Sequence, residues 1–293
     1  MVILRYKALY INFNTIYLHN NEFLWVEKME KEFSVIVPYT QGKADREQAL
    51  QVCLNSFTSQ VFQSFDLIVV EEVLGNNEPK FNGHPRVNKH IILRDNRLFN
   101  KSWIINVAVR QIETKCFLVI DADSKMKPQH LGEVFLYKFN QPQFKFFCAY
   151  LYLKLLIGKD NPQERLVSSV HLEAVGGAWL CYKDFFFNTL GGMNENYFGY
   201  GAEDNDMWWR VQHWYTNSFN NGAVYPIPML PFNMEHQYHD WAPFTSERYD
   251  MLNKTRNHPD IVIKRLVEAQ LGKESGPTLI KTDDITVEEL WYK

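Results

Sequence analysis

Residues 116–123 read CFLVIDAD, an apolar run from Cys116 to Ile120 that passes straight into two carboxylates flanking one alanine. A short continuous apolar run is the pattern of a strand buried on both faces, as in parallel sheets. Asp121 and Asp123 then fall at the strand's carboxyl end, the edge of an open α/β sheet where ligands bind. The pattern recurs upstream. Phe33–Val37 (FSVIV) is stopped by Pro38, Asp66–Val70 (DLIVV) ends in Glu71 and Glu72, and His90–Leu93 is a weaker third strand. Between them Ala44–Gln60 sets Leu50, Cys53, Leu54 and Phe57 at helical spacing, with Asp45 as candidate cap. Asn100–Ile112 reads as a helix capped by Asn100. Strands alternating with helices over 33–120 predict an α/β fold with a mostly parallel central sheet flanked by helices.

Composition narrows the function. An apolar fraction of 46% and a charged fraction of 22% describe an ordinary globular chain, and 293 residues can bury a substantial core. The net charge of −3 gives no electrostatic case for a nucleic-acid partner. Cys53, Cys116, Cys148 and Cys181 are far apart in apolar surroundings without a C-x-x-C pair, so they read as small buried hydrophobes in a reducing compartment. The N-terminal stretch is interrupted by Arg5, Lys7, Asn12, Asn14 and His19, short of the roughly 20 apolar residues of a membrane helix. A cytoplasmic protein is expected, with at most peripheral contact at the inner face of a membrane.

Beyond Pro128 a helix is expected at Gln129–Phe139, a long strand at Phe144–Leu156, another at Ala174–Cys181 containing Gly176 and Gly177, and a helix at Glu203–Tyr215. A last helical stretch spans Ile261–Leu271. Residues 1–30 suggest a hairpin around Asn20-Asn21. One domain follows, 31–255, with a nucleotide-binding half at 31–125 and an acceptor half at 126–255, between extensions at 1–30 and 256–293.

Two further clusters join the strand-end acids. Asn194–Arg210 (NENYFGYGAEDNDMWWR) places Glu203, Asp204, Asn205 and Asp206 after a Gly-aromatic-Gly turn and at the start of an apolar helical pattern. Acids there stabilise the helix dipole by about 0.3–1 kcal/mol, which alone would account for them. The preceding Gly199-Tyr200-Gly201 adds close backbone approach and a ring face for a sugar. The third cluster is His236 and His239, whose spacing lacks the glutamate of a zinc peptidase.

Taken in order, Phe33–Tyr39 with Arg46, Asp66–Glu71, Phe99-Asn100-Lys101 with Asn106, Phe117–Asp123, Gly176-Gly177, Gly191-Gly192, Gly199–Asp206, and His236 with Arg248 resemble the GT-A-fold glycosyltransferases. Within them the likeness is to inverting enzymes of the β1,4-galactosyltransferase and bacterial chondroitin-polymerase type. The resemblance implies a nucleotide-diphospho-sugar transferase fold, a UDP-sugar donor carrying Gal, GalNAc or GlcNAc, a glycan acceptor, and Mn²⁺ or Mg²⁺. It implies that Pro38, Tyr39 and Arg46 line the uridine site, with Glu71 nearby on the donor side at the end of the second strand, and that Lys101 meets a phosphate as a point charge where those enzymes usually carry arginine. Ala122 and Gly177 complete the donor surface. Asp123 and His236 become metal ligands, and Asp121 touches the ion's shell or the ribose. Asp204 becomes the general base and Glu203 a donor-sugar contact, with Tyr200 and Asn205 on the acceptor side. Ala174, where the galactosyltransferases commonly carry tyrosine, implies room for an N-acetyl group. The Golgi enzymes' membrane anchor is not seen here, which suggests a bacterial or viral enzyme of capsule or lipopolysaccharide synthesis. Two readings stand beside it: a retaining GalNAc-transferase-like enzyme, whose turn tends to carry Glu-Asn where this chain has Glu203-Asp204, and a catalytically silent binding module on the same fold.

Overall fold

The computed structural model describes residues 31–41, 44–141, 143–156, 162–166, 177–199, 201–219, 227–236 and 246–282. The hairpin expected in 1–30 lies outside them, as do Ala174, Gly176, Tyr200 and His239.

Among the described residues nine strands form one sheet: β1 (Phe33–Thr40), β2 (Phe65–Leu74), β3 (Lys89–Asp95), β4 (Cys116–Ile120), β5 (Ser124–Lys125), β6 (Phe146–Leu156), β7 (Pro162–Leu166), β8 (Ala178–Tyr182) and β9 (Met229–His236). Their order is β3-β2-β1-β4-β8-β6-β9-β5, with β7 on β6. Strands β3, β2, β1 and β4 run parallel, whereas β8 is antiparallel to both β4 and β6. From β1 the chain moves out to β2 and β3, then returns to β4 on the other side of β1. That reversal opens a crevice between the carboxyl ends of β1 and β4, the place where open α/β sheets bind ligands.

Six α-helices of the described residues accompany the sheet: α1 (Ala44–Thr58), α2 (Lys101–Gln111), α3 (His130–Asn140), α4 (Glu203–Phe219), α5 (Ser246–Asn257) and α6 (Pro259–Ala269). Helix α2 is buried from Lys101 to Val109, the polar Ser102 and Asn106 included. Asn100 caps it as expected, its side chain accepting from the Trp103 N–H at 2.9 Å. Helix α1 already includes Ala44, so Asp45 falls inside the first turn and is not the cap.

Pro38 does not end β1; it pairs with Val70, and the strand continues to Thr40. Pairing with β4 covers only Ser34–Ile36, so Pro38 lies where β1 has a neighbour on one side and a missing N–H is tolerated. Phe185–Thr189 forms a short π-helical turn that brings Phe186 against Phe117, with ring centroids 5.1 Å apart.

The boundary expected at 255 falls inside α5. The chain after it packs onto the same domain: Trp103 Nε1 donates to Lys273 O at 2.7 Å and Arg110 Nε to Leu271 O at 3.0 Å. Val262, Leu266, Leu271 and Ile280 form a small core of their own.

Candidate active site

The crevice at the β1/β4 crossing is floored by the end of β4. The Asp121 N–H donates to Gly177 O at 3.0 Å, and the Ser124 N–H returns to Asp121 O at 2.9 Å. This tight turn carries Asp121, Ala122 and Asp123 across the crevice floor. Ser124 then pairs with His236, so β9 delivers the His236 backbone one residue from Asp123.

The N-terminus of α2 forms one wall. The Asn100 N–H donates to Glu72 Oε2 at 2.7 Å and its amide group to Glu195 O at 2.8 Å, which fixes the helix start. Lys101 follows, 9% exposed. Its Nζ lies 2.7 Å from Asp121 Oδ1, 2.9 Å from Asp204 Oδ2 and 3.7 Å from Glu203 Oε1. Burial would push the ammonium's pKa down, but Asp121, Asp204 and Glu203 reverse this and hold it well above the ordinary lysine value.

The opposite wall is the start of α4. Gly199, Gly201 and Ala202 all have left-handed backbone, with φ of 81°, 91° and 71°. At Ala202 this conformation is uncommon for a residue with a Cβ, and such strain clusters at functional sites. The Gly199 N–H donates to Phe99 O at 2.6 Å, tying the turn to the segment before α2. A side chain at Gly199 would meet the Arg248 guanidinium, which is buried and feels the charge of Glu203. Launched from this turn, Glu203 and Asp204 face Lys101. Glu203 Oε2 and Asp204 Oδ1 are buried and make no hydrogen bond among the described residues. Burial drives the Asp204 carboxyl well above the usual range, with Lys101 opposing. Asp121 is likewise pushed up by burial, to about 6.

Not every expected site residue meets here in the same way. Tyr39 is enclosed at the end of β1, and burial raises its phenol to about 12. Arg46, half-buried on α1, acts on the same phenol. Glu71 is fully enclosed and engaged by the protein: it accepts from the Lys80 and Phe81 N–H groups at 2.6 and 3.3 Å and pairs with His90 at 3.0 Å. These bonds tie the end of β2 to the segment at Lys80 and Phe81. Asn205 is half-buried on α4. The side chain of His236 lies outside the described residues, as does Tyr200. Behind the site lie three buried groups whose partners sequence reasoning did not foresee: Glu72, Glu195 and the fully buried Asp206–Arg210 pair.

Among the described residues no group of three or more His, Cys, Asp and Glu side chains is arranged to hold a metal. Asp121 and Asp123 offer the carboxylate oxygens that a hard divalent cation prefers, and Asp121 already carries the Lys101 ammonium.

Residues 168–222 match the family described as the N-terminal domain of galactosyltransferase. Among solved structures, the chain is similar to S. aureus TarS 1-349 at 16% identity and a TM-score of 0.56, covering 83% of this chain and 70% of that one. The same TarS 1-349 in complex with UDP-GlcNAc matches at 16% identity and a TM-score of 0.56, covering 82% and 70%. Against a longer TarS structure the values are 17% and 0.53, and the chain spans 43% of its length. A comparison with curated protein sequences returns no match. The galactosyltransferase segment and the architecture shared with TarS support a glycosyltransferase of GT-A fold. No described helix is long and apolar enough to cross a membrane.

Proposed function

We propose that the protein is a metal-dependent inverting glycosyltransferase that moves a hexose or N-acetylhexosamine from a UDP-sugar to a glycan hydroxyl. The observation that carries this reading is the meeting of Asp204 and Asp121 through one ammonium, 2.9 and 2.7 Å from Lys101 Nζ. It sets a candidate base on α4 against the strand end that borders the nucleotide crevice. The UDP-GlcNAc complex of TarS supports the donor class.

Asp204 takes the proton of the acceptor hydroxyl as that oxygen bonds to the anomeric carbon and the bond to UDP breaks on the opposite face. Burial suits Asp204 to this work, because it raises the carboxylate's affinity for a proton. Glu203, with one buried oxygen unmatched, hydrogen-bonds a hydroxyl of the donor sugar. Asp121, Asp123 and His236 are the residues that would hold Mn²⁺ or Mg²⁺. When bound there, the cation supplies positive charge that stabilises the departing diphosphate. Tyr200 and Asn205 would contact the acceptor, and Tyr39 and Arg46 would line the uridine side.

The test is Asp204→Asn, assayed for UDP release across UDP-Gal, UDP-GalNAc and UDP-GlcNAc with and without Mn²⁺. Turnover should fall about 10²–10⁴-fold, while Mn²⁺-dependent UDP binding stays at least as tight. Full activity in the variant would remove Asp204 as base. A product with the donor's anomeric configuration, read by NMR, would exclude inversion.

A further inference from the structure

Lys101 is placed to do more than touch a phosphate. Its ammonium has three N–H donors, and three carboxylates from two separate elements lie about it: Asp121 at the end of β4, and Glu203 and Asp204 at the start of α4. The backbone beneath it is fixed, since Asn100 is bonded to Glu72, Glu195 and Trp103. The four-carbon stem is the part that can move, and it ends in a compact, rotatable charge. A lysine engaged in this way cannot at the same time serve a diphosphate in the crevice that Asp121 borders.

Resting on the functional reading above, we propose that Lys101 is a positioning residue that holds Asp204 and Asp121 together before the donor arrives. The donor's diphosphate then draws the ammonium off, so that Asp204 becomes free to act as base only with donor in place. Until then the Asp204 lone pairs facing Lys101 are occupied. The opening of the base is thereby coupled to donor binding through a single side chain that lies 103 positions from Asp204 in sequence. The unmatched oxygens of Glu203 and Asp204 show that the lysine does not saturate these acids, which favours its exchange over a permanent strut.

Calorimetric titrations of wild type, Lys101→Met and Lys101→Arg with Mn²⁺ alone, and with UDP at saturating Mn²⁺, test the proposal. Lys101→Met should bind Mn²⁺ alone about fivefold or more tightly than wild type, because the acids are no longer held. It should bind UDP about tenfold more weakly. Lys101→Arg, which keeps the charge, should stay near wild type for Mn²⁺ alone. Asp204→Asn gives an independent arm: Lys101 is then easier to release, and UDP should bind more tightly than to wild type. Unchanged Mn²⁺ affinity in Lys101→Met, or unchanged UDP affinity in Asp204→Asn should the first variant not fold, overturns the proposal and leaves Lys101 a phosphate contact only. A wild-type protein that binds neither Mn²⁺ nor UDP overturns the functional reading itself.

Discussion

Asp206 and Arg210 form a salt bridge with neither side chain exposed, Nε and Nη2 lying 2.9 and 2.7 Å from one carboxylate oxygen. The other oxygen accepts from the Tyr197 hydroxyl at 3.4 Å and from the Thr255 hydroxyl. Arg210 Nη1 donates to the carbonyls of Leu190 and Gly192 at 2.5 and 2.6 Å. The pair thus binds α4 to the Leu190–Gly192 turn and to α5. Removing the negative partner leaves a buried guanidinium uncompensated, which costs about 3–5 kcal/mol. Asp206→Asn should therefore lower stability by that amount in urea denaturation; a change below 1 kcal/mol, roughly that of an exposed pair, would contradict this role.

Glu72 gives stability a pH dependence of definite sign. Burial pushes its carboxyl up to about 7, against the opposing hydrogen bond from the Asn100 N–H, and Oε1 has no partner among the described residues. A folded pKa above the unfolded one means that the fold favours the protonated acid. That contribution is complete below about 4.5 and is lost as pH rises through about 7. Glu72→Gln keeps an acceptor for Asn100 and removes the titration. Relative to wild type, the variant should gain stability between about pH 5 and pH 8, on the order of 3 kcal/mol at most. Denaturation curves that differ by the same amount at both pH values would show that Glu72 titrates like an exposed acid.

How much of this was legible in the sequence follows from burial. Strands β1, β2 and β4 are enclosed on both faces and so read as continuous apolar runs. Strand β3 is half exposed with alternating burial, and only its middle could be seen. Helix α5 buries just Arg248 and Thr255, so it has no apolar stripe to find. Asp121, Lys101 and Asp204 were legible because each sits where a patterned element begins or ends. Glu71 and Glu72 were not separable, because adjacent strand residues point to opposite faces: one meets the 78–81 loop, the other Asn100. The sharing of one ammonium by Asp121 and Asp204 has no local signature, since it depends on tertiary contact across 103 residues. Asp206 read as helix-start charge for the same reason, its partners Tyr197 and Thr255 coming from other segments.

Glu195 is the anchor of the C-terminal segment. Fully buried, it accepts from Asn106 Nδ2 and the Gly272 N–H at 2.8 Å each and from the Thr278 N–H at 2.5 Å. Every partner is a donor, so Glu195→Gln would turn an amide N–H₂ against N–H groups. A loss of about 2–3 kcal/mol is expected. Limited proteolysis should then cleave first within 271–282. Cleavage there at the wild-type rate would mean that the hydrophobic contacts of Leu271 and Ile280 hold the segment without the carboxylate.

Gly199 tests whether the strained turn before α4 aims the site or merely connects it. Its φ of 81° disfavours any side chain by about 1–2 kcal/mol. A Cβ would also displace the buried Arg248 guanidinium, whose charge acts on Glu203. Gly83 is the matched control, with φ of 93° and nothing within 4 Å of an added Cβ. Gly199→Ala and Gly83→Ala should therefore lose similar stability through the backbone. Only Gly199→Ala should also lose turnover, by about 10²-fold if Glu203 and Asp204 are displaced by 1 Å. Equal activity in the two variants would show that the turn's geometry is not transmitted to the acids. A selective loss in Gly199→Ala that Arg248→Ala relieves would trace the effect to the guanidinium, as the packing of Gly199 against Arg248 requires.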